Sequence, residues 1–240
     1  MLSKLKKLFS SKPPAKAAEA PFGASLHWIA ADKNPWGVRI LDCRPVSTGW
    51  RSTTADPSIA KSFLQLRHAD GRAHLQAEPL PVQVSGEFTL PVPELPPQGC
   101  FSSARQMEEK WDLFHFDNRL FISRSWTGML SYTASLHCDG NSLHVSDIRA
   151  TPLYENEHLL RELHFILRAY GNRVIMPHPL PVNLAPDDSI ASKEQIALHT
   201  FNSYGSFGWF GTFEDTIPLR EIARSDLAEW IKRQAKNSND

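Results

Sequence analysis

Apolar and polar positions are most regularly spaced between residues 108 and 128, EEKWDLFHFDNRLFISRSWTG. Asp117-Asn118 suits a two-residue turn. Folding there sets Phe116 opposite Arg119, Phe114 opposite Phe121, Asp112 opposite Ser123 and Lys110 opposite Ser125 on one face. The other face pairs His115 with Leu120, Leu113 with Ile122 and Trp111 with Arg124. Both faces carry large apolar side chains, which predicts a hairpin inside a sheet covered on both sides. Past Gly128, Leu130, Tyr132, Ala134 and Leu136 alternate with Ser131, Thr133 and Ser135. Asp139-Gly140-Asn141 then turns the chain into a strand containing Leu143 and Val145. Residues 109 to 148 therefore read as a four-stranded antiparallel meander.

The period changes on either side of this meander. Downstream, Leu159, Leu160, Leu163, Ile166, Leu167 and Tyr170 recur at helical spacing up to Gly171. A short apolar piece follows at Val174-Ile175-Met176. Ser192, with Gln195 three residues on, predicts a second helix that ends near Gly205. SFGWFGTF, residues 206 to 213, reads as a glycine-aromatic strand or loop. A last helix starting near Ser225 places Leu227, Trp230 and Ile231 on one face. Upstream, WGVRILDC (36 to 43) predicts a buried strand and Asp56-Pro57 a helix start. Asp70-Gly71 suits a hairpin, with a longer helix ending at Gly71 as the competing reading. The prolines of residues 76 to 99 restrict that stretch to edge strands and loops. The fold class expected is α+β, with a central antiparallel sheet and two or three C-terminal helices on one of its faces. Residues 25 to 240 form one domain in this reading.

Composition narrows the functions. Lysines plus arginines equal aspartates plus glutamates at 26 each, so no global basic excess favours nucleic acid. Three well-spaced cysteines, Cys43, Cys100 and Cys138, read as reduced thiols of a cytoplasmic protein. No run reaches the roughly 20 apolar residues of a membrane span. MLSKLKKLFSSK lacks the apolar stretch of a secretion signal. Leu2, Leu5, Leu8 and Phe9 share a helical face, so residues 1 to 12 are either a flexible basic tail or a weak membrane-surface contact. Residues 1 to 24 are assigned to that tail and its Pro/Ala linker.

Motifs with chemistry are sparse. Dinucleotide, Walker and nucleophile-elbow patterns are absent from the sequence. Cys43 in DCRPVSTGWR lies at a strand end, but Arg51 comes too late for a phosphatase loop and Pro45 removes a donor, so a structural cysteine is expected. His137, Cys138 and His144 flank one turn without a second ligand pair, and His158 and His164 are six apart on a helix, off a common face. Neither a metal nor a cofactor is expected. The best site candidate is the open end of the hairpin, where Glu108, Glu109, Lys110, Arg124, Ser125 and Trp126 converge. Arg124 would stack on Trp111 and pair with Glu108 or Glu109. An ion pair that fixes the sheet edge accounts for the same residues, and no nucleophile or base stands nearby.

Residues 28 to 150, through NPWGVRILDCRP, WRSTTADPSIAKSF and EEKWDLFHFDNRLFISRSWTG, resemble a group of uncharacterised bacterial proteins. The resemblance implies a cytoplasmic bacterial protein without an established activity. Two functional expectations follow from the whole reading. One is a non-catalytic protein-binding role, as an immunity or accessory protein. The other is an enzyme acting on a nucleotide-like or phosphorylated small molecule through Arg124, Trp126, Glu108 and Glu109, with Cys43 as a further candidate.

Overall fold

The computed structural model describes residues 22–52, 58, 70–184 and 188–237. Eleven strands and four α-helices follow in order among them: β1 His27–Ile29, β2 Ile40–Asp42, α1 Arg44–Gly49, β3 Val82–Gln83, β4 Phe88–Leu90, β5 Gly99–Ser102, β6 Trp111–Phe116, β7 Arg119–Arg124, β8 Leu130–Cys138, β9 Leu143–Ala150, α2 Asn156–Ile166, β10 His178–Pro179, α3 Ile190–Ser203, β11 Phe210–Thr212 and α4 Arg224–Asn237. The chain is α+β.

The meander β6–β9 is the spine of a seven-stranded antiparallel sheet ordered β3-β9-β8-β7-β6-β5, with β4 also on β9. Every pair expected for the hairpin forms, from Phe116 opposite Arg119 to Trp111 opposite Arg124. Ser125 N donates to Lys110 O at 3.0 Å and extends the pairing by one step. Asp117 and Asn118 have φ of 47° and 61°. That combination defines a hairpin turn twisted like its strands, and Asp and Asn enter the left-handed region more cheaply than other non-glycine residues. Trp111, Leu113, Phe114, Leu120, Phe121 and Ile122 are each at most 2% exposed. Burying each side chain contributes roughly 1.5–3 kcal/mol against leaving it in water. The proline-rich stretch behaves as expected: β3 and β4 are short edge strands on β9.

Strand parity separates the two faces. Leu113, Leu120, Ile122, Tyr132, Ala134 and Ala150 form the main core together with Leu159, Leu163 and Ile166 of α2. Phe114 and Phe121 point the other way, where His74 packs against both, at ring distances of 5.4 and 6.4 Å. A 3-10 helix, Arg72–Gln76, carries His74 there.

Several expectations need correction. Asp70-Gly71 does not open a hairpin. Gly71 has φ 72° and leads into the 3-10 helix, and a Cβ there would lie 2.2 Å from the Phe114 ring. The competing helix before Gly71 and the Asp56-Pro57 start lie outside the described residues, apart from Ser58. The cap of α3 is Ser189, whose side chain accepts from Ser192 N at 3.1 Å. Ser192 is therefore the third helical residue rather than the cap.

A second sheet, ordered β1-β2-β11-β10 with β10 and β11 parallel, was not anticipated. Its strands are two or three residues long, too short to leave an alternation in the sequence. It takes up Ile40 and Leu41 of the strand expected at 36 to 43. The second and third long helices bury their apolar residues around it rather than in the main core: Ile196 and Ala197 of α3 join Leu26, Leu41 and Val46. Leu227 and Trp230 of α4 join Trp36, Ile40 and Phe210. Among the described residues, no helix is long and apolar enough to cross a membrane.

The hairpin turn provides a check on the fold. Asn118→Val forces a β-branched residue into positive φ and should lower stability by about 1–2 kcal/mol. Asn118→Gly should cost little. Urea unfolding of both variants measures the difference, and equal losses would contradict the turn geometry.

Candidate functional site

The six residues expected at the open end of the hairpin do converge, but they face structure rather than a cleft. Glu108, Glu109 and Lys110 are buried, and so is Trp111. Glu108 accepts from Ser52 N at 2.7 Å, and Glu109 accepts from Arg105 N at 3.0 Å. Ser125 Oγ donates to Glu109 O, and Trp126 Nε1 donates to Met107 O. Lys110 Nζ donates to Met107 O at 2.9 Å and to Ser52 Oγ at 3.3 Å. It also lies 4.3 Å from the Phe201 ring centre and 5.2 Å from that of Trp126. Burial first, then the neighbouring charge of Arg124, pushes the Lys110 ammonium down to about 7 against the pull of Glu108.

This end of the hairpin is clamped onto the C-terminus of α3. Trp111 Nε1 donates to Ser203 O at 2.8 Å, and Arg124 Nη2 donates to Asn202 O at 2.5 Å. Tyr170 Oη donates to Tyr204 O at 2.6 Å, and Ser206 N donates to Glu108 O at 3.0 Å. Gly205, at φ 52°, passes so close that a Cβ would stand 1.8 Å from Glu108 O. The glycine-aromatic stretch thus uses this glycine for close backbone packing.

Arg124 stacks on Trp111 as expected, its Cζ 4.4 Å from the ring centre. The expected ion pair does not form: among the described residues no carboxylate lies within 4.0 Å of it. The guanidinium is packed around by protein although part of the residue reaches the surface, and burial lowers its affinity for the proton. The strongest opposing field comes from Glu162 of α2 rather than from Glu108 or Glu109. Glu162 is 2% exposed and accepts a hydrogen bond from Tyr132 Oη. Burial raises its proton affinity, while the Tyr132 bond and Arg124 act against that rise.

From Glu162 a buried polar cluster runs to the surface, and nothing in the spacing of these residues along the chain announces it. The rings of His199 and Tyr204 are 5.6 Å apart, and those of His178 and Tyr204 are 4.4 Å apart. Tyr154 Oη and His199 Nδ1 lie 3.4 Å apart, and Tyr154 packs edge-on to His158 at 4.5 Å. Neither ring nitrogen of His158 has a hydrogen bond of ordinary geometry, although the Leu180 backbone is near enough to favour its charged form slightly. Burial, with the charges of His199 and Arg161 behind it, holds His158 down to about 3; burial and Arg124 hold His199 at about 4. The cluster ends at a cleft of about 390 Å³ between the loops after β9 and β10, lined by Pro152, Leu153, Tyr154, His158, Pro181 and Val182 among others. A second, smaller hollow lies on the other face of the main sheet. Neither is lined by Glu108, Glu109, Trp111, Arg124 or Trp126.

The remaining candidates are structural. Cys43 is fully buried beside Thr200 and its thiol is pushed up to about 12 by burial, which removes it as a nucleophile. His137 and His144 do meet across β8 and β9, with rings 6.0 Å apart, and His144 bonds Asp139 at 3.0 Å. His164 packs edge-on against Phe88, away from His158. Among the described residues no group of three or more His, Cys, Asp or Glu is placed to hold a metal ion.

No protein-family model, curated protein or solved structure matches the chain.

Two outcomes test this arrangement. Gly205→Ala meets a backbone oxygen in a left-handed conformation and should cost on the order of 3 kcal/mol of unfolding free energy. The buried histidines set an acid dependence. Unfolded histidine titrates near 6.5, whereas folded His158 sits at about 3 and His164 and His199 at about 4. Between those values the unfolded chain binds protons that the native state refuses. Their contribution is intact above about pH 6.5 and is lost as pH falls toward 4. Glu162, raised in the fold, offsets part of this, because the native carboxyl takes its proton first. His158→Phe should flatten the fall in urea-unfolding free energy between about pH 6.5 and about pH 4.5. An unchanged slope would mean that His158 is already hydrated.

Proposed function

We propose that the protein is a non-catalytic binding protein that seats an apolar side chain of a partner protein in the cleft over Tyr154 and His158. The observation that carries this reading is the rim. Leu153 and Val182 are each 60% exposed and stand on opposite sides of the cleft, with Pro152 and Pro181 beside them. Glu155 and Asn183 complete the lining, so the rim offers a partner's anchor residue two exposed aliphatic side chains flanked by polar groups, and burying the apolar surfaces together supplies the binding energy. Two prolines stiffen the rim, which lowers the entropy lost on docking. The floor argues against acid–base chemistry, because His158, held down to about 3 by burial, is too weak a base to take up a proton near neutral pH. The alternative, an enzyme built on Arg124, Trp126, Glu108 and Glu109, loses support because all four are engaged in hydrogen bonds within the protein: Arg124 with Asn202, Glu108 with Ser52 and Ser206, Glu109 with Arg105 and Ser125, and Trp126 with Met107.

The test uses the full-length protein as bait in an extract of its source cells, beside the double variant Leu153→Asp, Val182→Asp. Circular dichroism should be unchanged, since both side chains are solvent-facing. A partner retained by the wild type and reduced at least about tenfold by the double variant supports the reading. Equal retention by both proteins refutes it.

A further inference from the structure

A different group of residues, on the sheet face away from α2, has the chemistry of an anion site. Phe121, Thr133 and Arg149 are direct cross-strand neighbours on β7, β8 and β9. Arg119 is two residues before Phe121 and so projects to the same face. With His74 and residues 77 to 79 above them, these side chains enclose a hollow of about 200 Å³.

The two arginines are not neutralised. Among the described residues neither has a carboxylate within 4.0 Å, although Glu78 stands on the rim of the same hollow. Arg149 uses one nitrogen, Nη1, on Leu80 O at 3.2 Å. Arg119 rests on the Phe121 ring, its Cζ 5.1 Å from the centre, and makes no hydrogen bond among the described residues. Thr133, 8% exposed, holds a hydroxyl between them that likewise has no partner there. Two planar donor forks and one hydroxyl around a hollow match a tetrahedral dianion, which accepts several charge-assisted hydrogen bonds at once. Phe121 and Leu130 make one side of the hollow apolar, and it exceeds the volume of a lone oxyanion, leaving room for part of the group that carries it. Glu78 on the rim weakens the attraction for any anion and disfavours a ligand that carries a further acidic group beside its phosphoryl group.

We infer that Arg119, Thr133 and Arg149 form a binding site for a phosphoryl group, free or carried by a small molecule. It shares no residue with the cleft over His158, so either stands without the other.

Titration calorimetry on the full-length protein, at constant ionic strength set with chloride, tests this with inorganic phosphate and with phenyl phosphate. Saturable binding of either, weakened about tenfold by Arg119→Met and again by Arg149→Met, is expected for the loss of one charged donor fork each. Tighter binding of phenyl phosphate assigns the site to a phosphate ester, and tighter binding of inorganic phosphate assigns it to the free anion. Arg119 is exposed, so its variant keeps the fold and isolates the binding effect. No saturable binding of either probe by the wild type, or binding that both variants leave unchanged, overturns the inference.

Discussion

The fold depends on one junction, where the open end of the β6–β7 hairpin meets the last turn of α3. At the end of a helix the final carbonyls lack partners within the helix, and burying them unpaired would be costly. Here Arg124 and Trp111 reach across and take the carbonyls of Asn202 and Ser203, and Tyr170 takes that of Tyr204. The exchange satisfies both sides, because an indole N–H is costly to bury without an acceptor and a charged guanidinium more so. It joins the main sheet to the helix that packs on the smaller one. Glycine at 205 is the geometric condition, since no other residue lets the chain turn against the Glu108 carbonyl.

That junction explains why the sequence points so clearly at residues 108 to 128 and yet leaves two accounts of them open. A cluster of carboxylates, cations and tryptophans at a strand end has the composition of a binding site. It has equally the composition of a helix-capping joint, and what separates the two is the partner, which comes from residues 202 to 206. Arg124 was legible as the cation over Trp111, because the two are opposite in a register set by an Asp-Asn turn. The field of Glu162 was not, because Glu162 lies 38 positions away on α2 (162 minus 124), and helical periodicity assigns a glutamate to the wet face. The meander was legible because long alternating strands advertise themselves, whereas β1, β2, β10 and β11 span too few residues to show a period.

The buried cluster around Glu162 shows how the protein tolerates polar groups in its core. The carboxyl, three tyrosines and three histidines are brought together by α2, α3, β8, β10 and their flanking turns. Burial favours the uncharged form of every histidine and tyrosine in it, so the cluster is held mostly by neutral hydrogen bonds and ring packing. The charges of Arg124 and Glu162 attract each other from beyond ion-pair distance, and because desolvation opposes that attraction the interaction is weak evidence for stability in itself. Its effect is orientation: Glu162 anchors Tyr132 of the sheet to α2, and Arg124 ties the same region to α3.

A bulge decides which face of the sheet carries the free arginines. Along β9, Leu143 and Val145 point into the main core, and unbroken alternation would send residues 147 and 149 after them. Instead the pairing with β8 slips between Ser146 and Arg149, where Asp147 and Ile148 oppose Ala134 alone, with Asp147 at φ 48°. The extra residue reverses the parity, so Ile148 and Ala150 enter the core and Arg149 turns to the opposite face beside Thr133. Aspartate enters that left-handed conformation more cheaply than most residues. Without the bulge an arginine would be driven into a dry core against α2, and Arg119 would stand alone on the far face. The paired guanidiniums are therefore a product of backbone geometry at residue 147, and alternation read along the sequence could not reach them past residue 145.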